Sequence, residues 1–107
     1  MYVKKIHFER TGGFAGIRLA AEIEVNELPD DQKHEILELL DEMDFDELPE
    51  KPGNKMPIPD EFFYSVTVES DSREYKVSGG ESSLPQDMAP LLDILGSITK
   101  QKMRERK

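Results

Sequence analysis

The chain has 107 residues, with 23 acidic and 14 basic side chains, a formal net charge of -9 and no cysteine. The acidic excess argues against a nucleic-acid partner, because affinity for phosphate comes from clustered lysine and arginine. The lack of cysteine excludes disulfides and thiolate sites within this sequence. No apolar stretch reaches the length of a membrane span or resembles a signal peptide, so we expect a cytoplasmic protein with no membrane partner.

The first half of the chain predicts a β-hairpin followed by a helix. Residues 2–10 and 17–25 alternate between apolar and polar side chains, the pattern of strands packed on one side only. The glycine-rich residues 11–16 join them as a hairpin turn. Pro29 followed by two acids is typical of a helix start. A helix over 29–43 is predicted by an apolar stripe at Ile36, Leu37, Leu40 and Met43.

The second half repeats this order after a proline-rich loop at 49–60. Alternation predicts strands over 61–69 and 73–78, and the pair Gly79–Gly80 is expected to break the second of them. A final helix is predicted over 88–104, with an apolar face formed by Met88, Leu91, Leu92, Leu95 and Ile98.

These elements predict an α+β fold over residues 1–107 as a single domain. The order ββα-ββα favours a four-stranded antiparallel sheet with two helices packed on one face. The other sheet face is then expected to be partly exposed and to carry Arg18, Glu22, Glu24, Phe63, Ser65, Thr67 and Glu69. Charges at Lys4 and Lys5 discourage pairing between sheet edges, so we expect a monomer when the protein is free.

One candidate binding segment is the run Gly12, Gly13, Phe14, Ala15 and Gly16, which we call the glycine corner. Its glycines permit positive φ angles and close backbone approach. Phe14 then has two possible roles. Either its ring folds back and caps the core, or it projects into a partner's pocket as an aromatic anchor.

A second candidate is the segment Lys55–Met56–Pro57–Ile58–Pro59. The prolines on both sides of Ile58 reduce the freedom of the loop and so lower the entropic cost of binding. Met56 and Ile58 are therefore candidate partner-binding residues. The alternative is a connector that packs along the helices.

Motifs for catalysis or metal binding are incomplete. His34 lies one helical turn from Glu38, where a zinc-protease motif needs a second histidine. The acidic cluster near Asp44 lacks the ligand spacing and glycine of a calcium loop. The glycine runs have neither a phosphate-loop nor a nucleophile-elbow pattern. We therefore predict no catalytic residue, no metal ligand, no cofactor and no enzymatic activity.

Several segments taken together resemble the emfourin family, which consists of small protein inhibitors of protealysin-like metalloproteases of the thermolysin type. The most specific element is the run Thr11–Ile17, which contains Gly-Gly-Phe-Ala-Gly. It is followed in order by Pro59–Tyr64, Leu84–Pro85 and Leu91–Leu95.

The resemblance implies a reversible protein inhibitor whose partner is a metalloprotease, with the zinc held by the target. Thermolysin-type clefts favour bulky apolar side chains, so Phe14, Met56 or Ile58 would fill a pocket there. An acidic side chain approaching the target's zinc is the other possibility. A different function also stays open: a non-catalytic interaction module with an unrelated intracellular partner, bound by the outer sheet face or the acidic helix.

Overall fold

The computed structural model describes residues 3–12, 18–49 and 61–105. Its strands and helices are β1 (Lys5–Gly12), β2 (Leu19–Glu24), α1 (Asp30–Glu42), β3 (Phe62–Glu69), β4 (Glu74–Gly80) and α2 (Ala89–Glu105). Short 3-10 turns lie at Val25–Glu27, Phe45–Glu47 and Gln86–Met88. The predicted α+β class and the order ββα-ββα are confirmed. Within these residues, no helix is both long and apolar enough to cross a bilayer.

The four strands form one antiparallel sheet in the order β2-β1-β3-β4. Phe8 in β1 lies opposite Ala21 in β2 and opposite Val66 in β3, so β1 is paired on both sides. The Lys4 amide also donates a 2.8 Å hydrogen bond to the Glu69 carbonyl oxygen. From the sequence, Lys4 and Lys5 are expected to discourage pairing at a sheet edge, but these residues do not lie at an edge. The edges are β2 and β4, and the monomeric state stays a prediction.

Both helices pack on one face of this sheet and share one core with it. Alternate strand residues point into the core because successive side chains in a strand face opposite sides. Each large apolar side chain buried there contributes about 1.5–3 kcal/mol. The core includes Ile6, Phe8, Ile23, Val66, Val68, Ile36, Leu40, Leu91 and Leu95.

Phe45 follows the predicted end of the first helix at residue 43, and its side chain is fully buried. The helix α1 stops at Glu42, and Asp44 takes a left-handed conformation with φ 51°. This left-handed residue ends the helical path, and Phe45 in the following 3-10 turn packs into the core.

The pair Gly79–Gly80 does not break β4, contrary to expectation. Gly79 lies opposite Tyr64 and Gly80 lies opposite Phe63, so the strand continues through both. The chain turns only afterwards, where the amides of Ser83 and Leu84 donate to the Gly80 carbonyl oxygen at 2.9 and 3.2 Å. The strand β1 is predicted over residues 2–10, and in the structure it spans Lys5–Gly12.

Candidate functional site

The two candidate segments join the sheet at the same end. Gly12, the last residue of β1, lies opposite Phe62, the first residue of β3. Gly80, the last residue of β4, lies opposite Phe63. We call this the corner end of the sheet. The glycine corner leaves β1 at Gly12, and the proline-rich segment that carries Met56 and Ile58 enters β3 through Glu61.

Gly12 and Glu61 are in direct backbone contact at this junction. Gly12 has a φ of 86°, a conformation that L side chains rarely adopt. A Cβ atom added to Gly12 would lie 2.9 Å from the Glu61 carbonyl oxygen, which is too close for a real Cβ contact. Glycine at this position therefore satisfies both the backbone angle and the close approach.

Of the predicted partner-binding residues, the structure describes Gly12, which is exposed. The remaining ones are Gly13, Phe14, Ala15, Gly16, Met56 and Ile58, and they lie outside the described residues. Their contact roles stay predictions. The residues that flank them are described, and these place the starting point of one segment against the end of the other.

The carboxylate of Glu61 holds the turn that follows β4. It accepts a hydrogen bond from the Ser82 amide. It also lies beside Gly80, where an added Cβ would come within 2.9 Å of the Glu61 carboxyl carbon. The Glu81 amide donates a 2.9 Å bond to the Phe62 carbonyl oxygen. The ends of β1, β3 and β4 are thus connected through Glu61, which enters the sequence resemblance only as part of the segment Pro59–Tyr64, with no role assigned to it.

Aromatic rings support the corner end on the helix side. The Arg10 guanidinium lies 4.5 Å from the centre of the Phe62 ring, within the range of a cation–π interaction. The ring of Tyr64 lies 6.4 Å from that of Phe62 and 6.2 Å from that of Phe8, tilted in both cases. Tilted aromatic pairs of this kind add to the energy of burial. The backbone under both candidate segments is therefore firmly packed.

The sheet face that the helices do not cover carries charged side chains, as predicted, and several of them form ion pairs. Lys5 contacts Glu22 and lies 3.3 Å from Glu24. The hydrogen bond to Glu22, followed by that to Glu24, raises the pKa of Lys5 above its usual 10.5. The same bond to Lys5 lowers the pKa of Glu22 below its usual 4.5.

Two further pairs lie on this open face. His7 contacts Glu69, and the Arg18 Nε atom donates a 2.8 Å hydrogen bond to Glu9. Phe63 is 43% exposed on the same face.

The described residues offer no metal centre. Residues 3–12, 18–49 and 61–105 contain no cluster of three or more potential ligands among His, Cys, Asp and Glu. His34 lies 3.4 Å from Glu38 on an exposed helix face, which is an ordinary surface pair.

Comparison with protein families decides the identification. The family model named Emfourin matches residues 8–96, most of the chain, including the glycine corner and all of β3 and β4. The chain belongs to the emfourin family. A solved structure similar to it is emfourin (M4in) from Serratia proteamaculans, described as an M4 family peptidase inhibitor. The two share 21% identity over 82% of this chain and 84% of that one, with a TM-score of 0.45. A search of curated proteins gave no significant match.

The resemblance predicted from the glycine corner and the three later segments is therefore confirmed at the level of the family. The emfourin family is one of protease inhibitors, so membership agrees with the prediction that the chain is not an enzyme.

Proposed function

We propose that this chain is a reversible protein inhibitor of a thermolysin-like zinc metallopeptidase, and that its corner end blocks the active-site cleft of the target. Membership of the emfourin family supports the general role. The target and the mode of binding are the proposed part. The zinc would belong to the peptidase, and this chain would supply apolar side chains and backbone.

The contact between Gly12 and Glu61 is the observation that carries the proposal. It joins the base of the glycine corner to the base of the proline-rich segment, so both candidate segments start from one place. A single approach to a cleft can then use residues from both.

The two segments are also attached to the most firmly held strands. β1 and β3 are the two inner strands of the sheet, and each is paired on both sides. Rigid attachment reduces the freedom that binding would otherwise have to remove, which favours affinity. Phe14, Met56 and Ile58 are the apolar side chains that the two segments would bring to a pocket of the target.

The test is a titration of a purified M4-family peptidase with the full chain, using a short peptide substrate. We expect activity to fall as the chain is added and the apparent inhibition constant to rise with substrate concentration, since both compete for one cleft. Activity should return on dilution, and mass spectrometry should find the chain uncleaved. No inhibition of such peptidases would contradict the proposal. Inhibition that is independent of substrate concentration would contradict binding at the cleft.

The contribution of Phe14 is tested with Phe14→Ala. We expect weaker inhibition, because a buried aromatic anchor typically provides more than about 1 kcal/mol of binding energy. Met103→Ala is the matched control, since Met103 is a large exposed apolar residue (39%) near the end of α2. If a folded Phe14→Ala variant inhibits as well as the parent, Phe14 is not the anchor, and Met56→Ala and Ile58→Ala test the other segment.

A further inference from the structure

Phe63 is an exposed aromatic residue within an inner strand. Its side chain is 43% exposed, and Met103 is the other large hydrophobic residue described as exposed. Phe63 lies near the start of β3, between β1 and β4, on the face that the helices do not cover. The other described strand residues on that face are charged, polar or small, so Phe63 is the large apolar side chain among them.

The cross-strand neighbours of Phe63 on this face have small side chains, and the Glu61 carboxylate lies beside one of them, Gly80. Thr11 lies directly across on β1 and Gly80 directly across on β4. Ser65 follows two residues later on the same strand and face. Aromatic side chains in sheets are commonly covered by cross-strand partners. Because both cross-strand partners are short, they leave the Phe63 side chain 43% exposed.

Phe63 lies on the side of β3 that faces away from the core. The core face of β3 is formed by Tyr64, Val66 and Val68, which are buried against the helices. Phe63 points away from them and does not belong to the core. Exposing an aromatic ring to water forgoes the free energy that burial would provide. That free energy becomes available when a partner covers the ring.

The position of Phe63 indicates which partner. It is adjacent to Phe62, whose backbone pairs with Gly12, and two residues from Glu61, which contacts Gly12. Phe63 is therefore one residue from the partner of Gly12 and two residues from Glu61, the bases of the two candidate segments. A peptidase held by the corner end would lie next to this ring, and a second, distant partner is not required.

We propose that Phe63 is an aromatic anchor that inserts into an apolar recess at the rim of the target peptidase's cleft. The contact surface then extends from the corner end onto the open sheet face. This inference rests on the proposed inhibitor function and adds a specific residue to it. The energy of interfaces is concentrated in a few such buried aromatic residues surrounded by near-neutral contacts.

The test compares Phe63→Thr with Phe63→Tyr and with the control Met103→Thr, using the full chain and a purified M4-family peptidase. Threonine keeps the strand preference but removes the ring. We expect Phe63→Thr to raise the inhibition constant by about tenfold or more. Phe63→Tyr should keep most of the inhibition because it retains the ring, and Met103→Thr should inhibit like the parent. A smaller loss with Phe63→Thr, at unchanged thermal stability, would overturn the proposal.

A second measurement does not depend on loss of function. The chain contains no tryptophan, so Phe63→Trp made with 5-fluorotryptophan carries a single ¹⁹F signal. Adding the peptidase should shift that signal, and a shift should not occur when the peptidase cleft is blocked by a small zinc-binding inhibitor. An unchanged signal in a mixture that is fully inhibited would contradict the role of Phe63 and leave the inhibitor function standing. If the parent chain itself does not inhibit, the proposed function fails first.

One further outcome would assign the Phe63 ring to a different partner. Self-association of the parent that disappears in Phe63→Thr, together with unchanged inhibition, would show that a second copy covers Phe63. That result would also overturn the proposal.

Discussion

A Cβ atom on Gly12 would lie 2.9 Å from the carbonyl oxygen of Glu61, and Gly12 has a φ of 86°. The two backbones thus meet where the glycine corner begins and where the proline-rich segment ends. Any side chain at Gly12 would separate them. This junction consequently sets the relative position of the two segments that we propose to contact the target.

We predict that Gly12→Ala destabilises the fold and weakens inhibition together. The left-handed backbone costs an L residue about 1–2 kcal/mol, and the clash with the Glu61 carbonyl adds to it. The free energy of unfolding in urea should therefore fall by about 2 kcal/mol or more. The inhibition constant should rise under conditions where the variant is still folded, because both segments are displaced.

Gly96→Ala serves as the matched control for this substitution. Gly96 lies within α2, and an added Cβ there would meet no atom within 4 Å. A Gly12→Ala variant as stable as the parent would contradict the close approach at the junction. Full inhibition by a folded Gly12→Ala variant would show that the junction of Gly12 and Glu61 is not needed for binding to the target.

The local pattern of the sequence is sufficient to predict the elements but not their arrangement. Alternation in residues 61–69 and the helical stripe at Ile36 and Leu40 follow from periodicity alone, because each strand and helix buries one side. The order β2-β1-β3-β4 depends on pairing between distant segments. For that reason the sequence places Lys4 and Lys5 at an edge although β1 is an inner strand.

The candidate site, too, could be predicted from the sequence only in part. Glycines in the corner are visible in the sequence because they signal unusual backbone angles. The contact of Glu61 with Gly12 and Gly80 depends on the register of β3 against its two neighbours, and no local pattern encodes that register. The pair Gly79–Gly80 therefore resembles a strand breaker in the sequence, whereas Gly80 makes room for a carboxylate in the fold.

We predict that Gly80→Ala displaces the Glu61 carboxylate and loosens the turn after β4. The added Cβ would lie 2.9 Å from the carboxyl carbon, so the side chain must move and lose its bond from the Ser82 amide. The loss should cost about 1 kcal/mol, the usual net value of one hydrogen bond. Hydrogen exchange at the Ser82 amide should accelerate as well.

A double-mutant cycle checks the cause. In a Glu61→Ala background the carboxylate is already missing, so Gly80→Ala should cost much less than it does in the parent chain. Equal costs in the two backgrounds would show that Gly80 acts through something other than Glu61.

We predict that Gly96→Ala stabilises the protein. Glycine within a helix is less favourable than alanine by about 0.8–1 kcal/mol, because a glycine gives the unfolded chain more conformational entropy that folding must remove. The structure has space for the added methyl group. Thermal unfolding should shift upward by about 4–8 °C per kcal/mol gained. A lower melting temperature would mean that the space beside Gly96 is not open.

The pair of Lys5 and Glu22 should give the stability a defined pH dependence. Lys5 lowers the pKa of Glu22 below 4.5, so the folded state holds the proton of Glu22 less tightly than the unfolded chain does. The resulting stabilisation is present above pH 4.5 and is lost as the pH falls through the lower, folded-state pKa. The raised pKa of Lys5 affects the stability at the alkaline end of the pH range. Its contribution is present below pH 10.5 and is lost as the pH rises through the higher folded-state value.

The measurement compares thermal unfolding of the parent and Glu22→Gln between pH 3 and pH 7. The pair lies at the surface, with about half of the Glu22 side chain exposed. Surface ion pairs contribute little, so the expected difference near neutral pH is small but positive for the parent. It should shrink as the pH falls below 4.5 and should also shrink in high salt, which screens surface charges. Glu47→Gln, at an exposed acid in the turn after α1, is the control for the change in net charge. A difference that grows in acid would have the opposite sign to the one expected and would mean that Lys5 does not stabilise the ionised form of Glu22.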